Sequence, residues 1–262
     1  MIKIMGIFLL IGFSSVCAGF SEGLILFKLH NPQGAGTIEL KISKNATRTK
    51  MNITQMQMNV EMDMLVKHDN PNIVFQINDK NKSFSKMDLS KYQQQASDKK
   101  GLEDFKIKKL GTENILGYKS EHVLLEKEGQ KIEMWVTKEI EVYEILKKIQ
   151  SANKQATEQI EAFKALEKKG LAGFPMKTIT YHNNQKMEME VVKIEAKTFP
   201  ASIFTVPENY KETSGMAGMM GQLGSQQNMQ AIQEMMQKNM TPEKMEEMKK
   251  MMEKMMQQQQ KE

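Results

Sequence analysis

The residues able to do chemistry are few in this chain, and they are scattered. Cys17 is the only cysteine, and His30, His68, His122 and His182 show neither HxxxH nor HxH spacing. A metal site needs ligands that converge, and a nucleophilic thiolate needs a cysteine in the mature chain. The sequence contains no GxSxG, Walker A or GxGxxG pattern. It therefore predicts a non-enzymatic protein without metal or cofactor, whose histidines are solvated or hydrogen-bonded.

Methionine is the unusual residue, at 25 of 262 positions. Its flexible thioether side chain fills irregular cores and suits surfaces that accept varied apolar partners. Thioether sulfur also binds Cu(I), which an exported protein could meet. For the methionines near residue 60 the sequence favours core filling or the lining of a cavity. For those near residue 250 it favours contact with a partner or another copy, with disorder and Cu(I) binding as alternatives.

The charge pattern argues against nucleic acid as a partner. The net charge is +5, but Arg48 is the only arginine and aromatic residues make up 6%. Nucleic-acid sites favour arginine forks and aromatic stacking platforms. Lysines spread along the chain predict at most weak attraction to an anionic membrane surface.

Residues 1–18 have the architecture of a signal peptide. Lys3 precedes an apolar run from Met5 to Phe13, which is too short to span a bilayer. Val16 and Ala18 fit a cleavage site after Ala18, so we expect an exported, periplasmic or secreted protein. Lipidation of Cys17, which would make an outer-membrane lipoprotein, fits poorly because Val16 precedes the cysteine.

The segment from Gln55 to Val66 alternates apolar and polar residues, as a half-buried strand does. Its polar residues are expected on an exposed face. Met51 and Ile53 have the opposite phase, which predicts a bulge near Thr54. The inward-facing residues, predicted with two from a later strand to line a ligand cavity, are Met56, Met58, Val60, Met62, Met64, Met134 and Val136.

Alternation elsewhere predicts about eleven strands between residues 19 and 210. Short intervals between them indicate an antiparallel sheet, with a hairpin at 182–185 and a bulge within 186–198. Apolar residues at spacings of three and four predict a helical insertion at about 139–170, stopped by Gly170. A sheet of this size curls. The predicted fold class is therefore mainly β with helices, a curved antiparallel sheet forming an open half-barrel covered by the insertion.

Residues 211–262 are predicted to form a flexible or helical methionine-rich tail. Thr241, Pro242 and Glu243 are typical of a helix start. The apolar seam that follows consists of Met245, Met248, Met252 and Met255. So short a helix is marginal alone, and we expect it to fold against another copy, the open face of the sheet or a lipid surface.

Short motifs in a fixed order resemble an exported bacterial family, domain of unknown function 4412. They lie at residues 111–119, 134–139, 173–177 and 199–207, and the resemblance covers roughly 20–210. The family is similar to the lipoprotein carriers and receptors of the Gram-negative envelope. This resemblance implies a curved sheet covered by helices and no catalytic residues. Ser120 stands where the family often has a cysteine.

Two functions follow as hypotheses. The first is an exported envelope protein that holds an apolar ligand, such as a lipid or acyl chain, in the half-barrel. The second is an interaction or copper-handling protein that works through the methionine-rich tail.

Overall fold

One sheet of twelve strands dominates the part of the chain that the computed structural model describes. Its strand order is β12-β6-β5-β4-β3-β2-β1-β11-β10-β9-β8-β7, so β12 and β7 are edges and the sheet is not closed. The predicted class, a mainly β open half-barrel, is confirmed. The described residues are 20–32, 34–55, 58–90, 105–127, 129–143, 147, 157–182 and 185–213.

Neighbouring strands are antiparallel, except that β12 runs parallel to β6. The strands are β1 (Gly23–Asn31), β2 (Gly34–Ile42), β3 (Ala46–Gln55), β4 (Met58–Lys67), β5 (Ile73–Asn78), β6 (Ser83–Asp88), β7 (Lys106–Ile115), β8 (Tyr118–Lys127), β9 (Gln130–Thr137), β10 (Phe174–His182), β11 (Gln185–Ala196) and β12 (Lys211–Thr213). The sheet thus continues three residues into the segment predicted as tail.

The predicted bulge near Thr54 is wrong, because β3 and β4 are two strands of a hairpin. Gln55 pairs with Met58, so the chain reverses within the alternating segment. The reversal also explains the change of phase. Met51 and Met62 are directly paired, and directly paired residues share a face of the sheet.

The bulge predicted in the last long strand is confirmed. Lys193 pairs with Leu26 and Val191 with Phe27, so Val192 is the extra residue of β11. The extra residue lets apolar side chains on both sides of it, Val191 and Ile194, pack into the same core cluster.

Helix α1 (Thr157–Lys168) confirms part of the predicted helical insertion. Ala162 and Leu166 are buried against β8 and β9. Gly170 follows with a φ of +67°, a conformation that favours glycine. Other residues used for the prediction, Ile145, Ile149, Ala152 and Ala156, lie outside the described residues.

The chain from Phe199 to Tyr210, here called the strap, links β11 to β12. Ala201–Phe204 forms a 3-10 turn within it, and Phe204 is buried. Phe204 packs with Ala46, Leu65 and Ile77, which lie on β3, β4 and β5. The strap therefore covers one end of the sheet, and α1 covers the other.

Candidate apolar binding face

Cross-strand pairing assigns the apolar residues to one face of the sheet. The row that connects β4 to β9 is Val60, Ile53, Gly36, Leu29, Met189, Thr178 and Met134. Met134 belongs to the cluster that contains Leu166 of α1. We call this side the helix-side face and the other the strap-side face.

The structure places the predicted lining residues at two separate positions on the helix-side face. Met134 and Val136 are 3% and 4% exposed beneath α1. Val60, Met62 and Met64 on β4 are half-buried. Six strand spacings separate β4 from β9, about 29 Å along the sheet. Met58 is the first residue of β4, and Met56 lies outside the described residues.

The residues around Val60, Met62 and Met64 form a half-buried apolar surface, here called the methionine strip. Register adds members that the sequence prediction did not include, since Met51 pairs with Met62 and Ile53 with Val60. The strip consists of Leu29, Ile38, Met51, Ile53, Val60, Met62, Met64 and Met189. Met187, two residues from Met189 and on the same face, is 42% exposed.

Gly36 lies in the middle of the strip, between Ile53 and Leu29. A Cβ on this glycine would lie 2.6 Å from the backbone oxygen of Asn52 and 3.0 Å from Cγ1 of Ile53. No side chain fits there without moving backbone. Because Gly36 has no side chain, the surface has a depression between the side chains of Ile53 and Leu29.

One edge of the strip adjoins a buried hydrophobic cluster. Ile25, Phe27 and Val191 on the helix-side face are buried by Phe20 and by residues from the segment after β9, including Val142. Ile38 and Met189 of the strip pack against this core as half-buried members. The strip is therefore continuous with the folded interior, and among the described residues no helix packs over its outer part as α1 does over β8 and β9.

A buried ion pair holds the strap on the opposite face. The two oxygens of the Asp63 carboxylate each accept a hydrogen bond of 2.8 Å from Arg48, and Nη1 of Arg48 donates to the backbone oxygen of Ile203 at 3.1 Å. The hydrogen bond to Asp63 is the main cause of the raised pKa of Arg48. The sequence prediction placed Asp63 on an exposed polar face; burial is tolerated because Arg48 compensates the charge.

Asp79 and Tyr210 extend this attachment. The Tyr210 hydroxyl donates to Asp79 at 2.9 Å. Burial alone would raise the pKa of Asp79, but the Tyr210 hydrogen bond and the charges of Lys50 and Arg48 lower it. Arg48, the only arginine, thus has a structural role that composition did not reveal.

At β9, β10 and β11 the strap-side face carries ion pairs instead of a cover. Glu188 lies 2.7 Å from Lys177 and 2.8 Å from Lys186. Hydrogen bonds from Lys177 and then Lys186 lower the pKa of Glu188 to about 2. Nearby, the His122 ring stacks on Trp135 at 3.9 Å, and its Nε2 lies 3.2 Å from Glu133. Glu188 and Glu133 therefore have partners within the fold.

His68, like His122, has local structural partners. His68 contacts the Thr47 hydroxyl at 2.9 Å and the Lys44 carbonyl at 3.0 Å. Within the described ranges, no three His, Cys, Asp or Glu side chains are grouped to hold a metal ion. In the same ranges, no helix is both long enough and apolar enough to cross a membrane.

The chemistry available to the strip follows from its side chains. Its eight members are aliphatic or methionine residues and carry no titratable group. They can exclude water and make dispersion contacts, and methionine adapts its shape to what it touches. The tail seam Met245, Met248, Met252 and Met255 lies outside the described residues.

Comparison with solved structures gives distant likenesses. PNGF-II has a TM-score of 0.37 and 12% identity, over 76% of this chain and 32% of that chain. MucB, in complex with MucA(peri), has a TM-score of 0.37 and 9% identity, over 72% of this chain and 55% of that chain. The Mycobacterium tuberculosis lipoprotein LppX has a TM-score of 0.32 and 7% identity, over 67% of this chain and 90% of that chain. The chain thus spans a third of PNGF-II and about half of MucB.

No curated protein matches the chain in sequence. A family match, in contrast, runs from residue 21 to residue 210. It begins just before β1 and ends at the last residue of the strap, so it includes both faces of the sheet and both of their covers. With most of the chain matched, this protein belongs to the family described as Domain of unknown function (DUF4412).

Proposed function

We propose that the protein is a non-enzymatic, exported envelope protein that binds an apolar ligand, such as a lipid acyl chain, on the methionine strip. The observation that carries the proposal is the half-burial of Met51, Met62 and Met64 on the face whose other end is closed by α1. A contiguous apolar surface that is only partly buried, and that continues into the core, is typical of a binding surface.

The strip has suitable dimensions and chemistry for such a ligand. From Val60 to Met64 it extends about 14 Å along β4. Each methylene buried against it contributes about 0.8 kcal/mol. Flexible methionines can follow chains of different length and saturation, so recognition depends on apolar area more than on a headgroup.

A saturated fatty-acid series tests this dependence on area. We expect Kd to fall roughly fourfold for each added methylene until the strip is filled. Isothermal titration calorimetry on the full chain gives the Kd values. An affinity independent of chain length would contradict binding to the strip.

A charge placed in the strip tests the location. Met62→Asp puts a carboxylate among Met51, Met64 and Val60, and we expect loss of fatty-acid binding. Asn59→Asp is the matched control, because it adds a carboxylate on the exposed, strap-side face of the same strand. Far-ultraviolet circular dichroism identifies any variant that fails to fold. A folded Met62→Asp protein with unchanged affinity would exclude the strip.

The copper hypothesis depends on methionines that lie outside the described residues, and it stays a prediction. Native mass spectrometry of the protein purified from its own envelope distinguishes the two hypotheses. We expect co-purified lipid; bound copper without lipid would favour the tail.

A further inference from the structure

The described chain stops at the edge of the sheet that is closest to the methionine strip. Thr213 of β12 is in register with Ser85 of β6. Ser85 pairs with Gln76, and Gln76 pairs with Met64 of the strip. The last described residue therefore lies three strand spacings from Met64, about 14 Å along the sheet.

We propose that residues 241–256, as a helix, dock their methionine seam on the methionine strip of the same chain. The docking does not depend on the function proposed above. Residues 214–240 are the tether.

The dimensions of the two surfaces agree. In a helix, the seam from Met245 to Met255 is about 15 Å long. The strip from Val60 to Met64 is about 14 Å long. Residues 214–240 would reach about 40 Å as one helix and farther as an extended chain. Either length exceeds the distance from Thr213 to the strip, so the tether permits docking without being stretched.

Tethering favours this chain's own segment over a second copy. A short flexible tether gives an effective concentration in the millimolar range. A second molecule reaches that concentration only in very concentrated solution. Weak contacts between methionines are therefore sufficient within one chain, and a ligand with higher affinity can displace them.

The charges of the segment argue against an anionic membrane as the surface that the seam contacts. Recognition of anionic lipid surfaces needs a cluster of basic residues. The polar positions of the segment alternate instead: Glu243, Glu246, Glu247 and Glu253 balance Lys244, Lys249, Lys250 and Lys254. These eight residues have no net charge, so the segment can make apolar contacts but is not attracted to an anionic surface.

Site-directed crosslinking tests the docking, and the chain suits it because Cys17 is its only cysteine. In a full chain with Cys17→Ser, Met62→Cys and Met248→Cys are combined and treated with a short bismaleimide. One control replaces the sheet position by Glu61→Cys, on the opposite face of β4. The other replaces the tail position by Lys250→Cys, on the side of the helix away from the seam.

We expect the Met62–Met248 pair to form intramolecular crosslinks with a several-fold higher yield than either control, and to do so equally at low and high salt. Equal yields in all three pairs would overturn the docking, as would crosslinks formed only between molecules. Fatty acid should lower the yield of the first pair. Fatty-acid binding is also measured in a chain without residues 214–262. If that chain fails to bind while the crosslink forms, the proposed function is wrong and the docking stands.

Discussion

The two ends of the sheet are covered on opposite faces. Helix α1 closes the helix-side face over β8 and β9, and the strap closes the strap-side face over β3, β4 and β5. Within the part of the chain that the structure describes, one region at each end has no such cover. At β9 to β11 it consists of paired charges, and at β2 to β4 it is the methionine strip.

The two regions differ in how their side chains are stabilised. The charged region has internal partners for its ions and needs no further cover. The strip has no such partners, because aliphatic and methionine side chains are stabilised only by removing them from water. The predictions below alter one cover or one uncovered region at a time.

The largest loss of stability is expected where the strap is attached. Arg48→Met leaves Asp63 buried with only Lys50 beside it, at 3.1 Å. Removing one partner of a buried pair costs about 3–5 kcal/mol. Lys50→Met is the control, because Lys50 is more exposed and should cost less than about 1 kcal/mol. Urea unfolding measures both. Similar losses in the two variants would show that Arg48 does not hold the strap.

A smaller loss of stability is expected for a substitution beneath α1. Leu166→Ala empties a fully buried site between α1 and β9, at a cost of about 2–5 kcal/mol. Met62→Ala removes a half-buried side chain from the strip and should cost about 1 kcal/mol. The same urea experiment compares them. Equal costs would mean that the strip is as well covered as the core beneath α1.

These contrasts separate what the sequence could predict from what it could not. Alternation located most strands, and the period of three to four located α1, because both patterns are local. The β3–β4 reversal was missed since no Gly, Asn or Asp lies between Gln55 and Met58 to signal a turn. The alternation continued through it, and the prediction of one long strand followed.

The covers depend on contacts between distant residues. Ile203 accepts its hydrogen bond from Arg48, 155 positions earlier in the chain. No periodic pattern in the sequence of the strap predicts this hydrogen bond. Similarly, Met51, Ile53 and Met189 join the strip only through strand register. The apolar character of the site was therefore readable in the sequence, but its extent and its position away from Met134 were not.

Gly36→Ala tests the centre of the strip, with an expected cost of about 1–3 kcal/mol. The new Cβ would lie 2.6 Å from the Asn52 carbonyl oxygen, which backbone movement must relieve. Ala35→Ser, at the exposed neighbouring position, should stay within about 0.5 kcal/mol of the original protein. Thermal unfolding provides the comparison. A neutral Gly36→Ala variant would show that β2 can shift, and that the strip is not a fixed surface.

The smallest effect on stability is expected for the charged region at β9 to β11, and this effect depends on pH. The pKa of Glu188 is lowered to about 2 by Lys177 and Lys186, against 4.5 for an ordinary glutamate. A carboxyl whose pKa is lowered by folding stabilises the folded state above its unfolded pKa. Its contribution is then lost as the pH falls from about 4.5 to about 2. The side chain is partly exposed, so solvent keeps the contribution small.

Glu188→Gln should therefore lose less stability than the original protein over this interval, as measured by urea midpoints at several pH values. Met62→Ala, which alters the uncharged region, should keep the original acid dependence. If Glu188→Gln kept the original acid dependence as well, the ion pairs of Glu188 with Lys177 and Lys186 would not stabilise the fold.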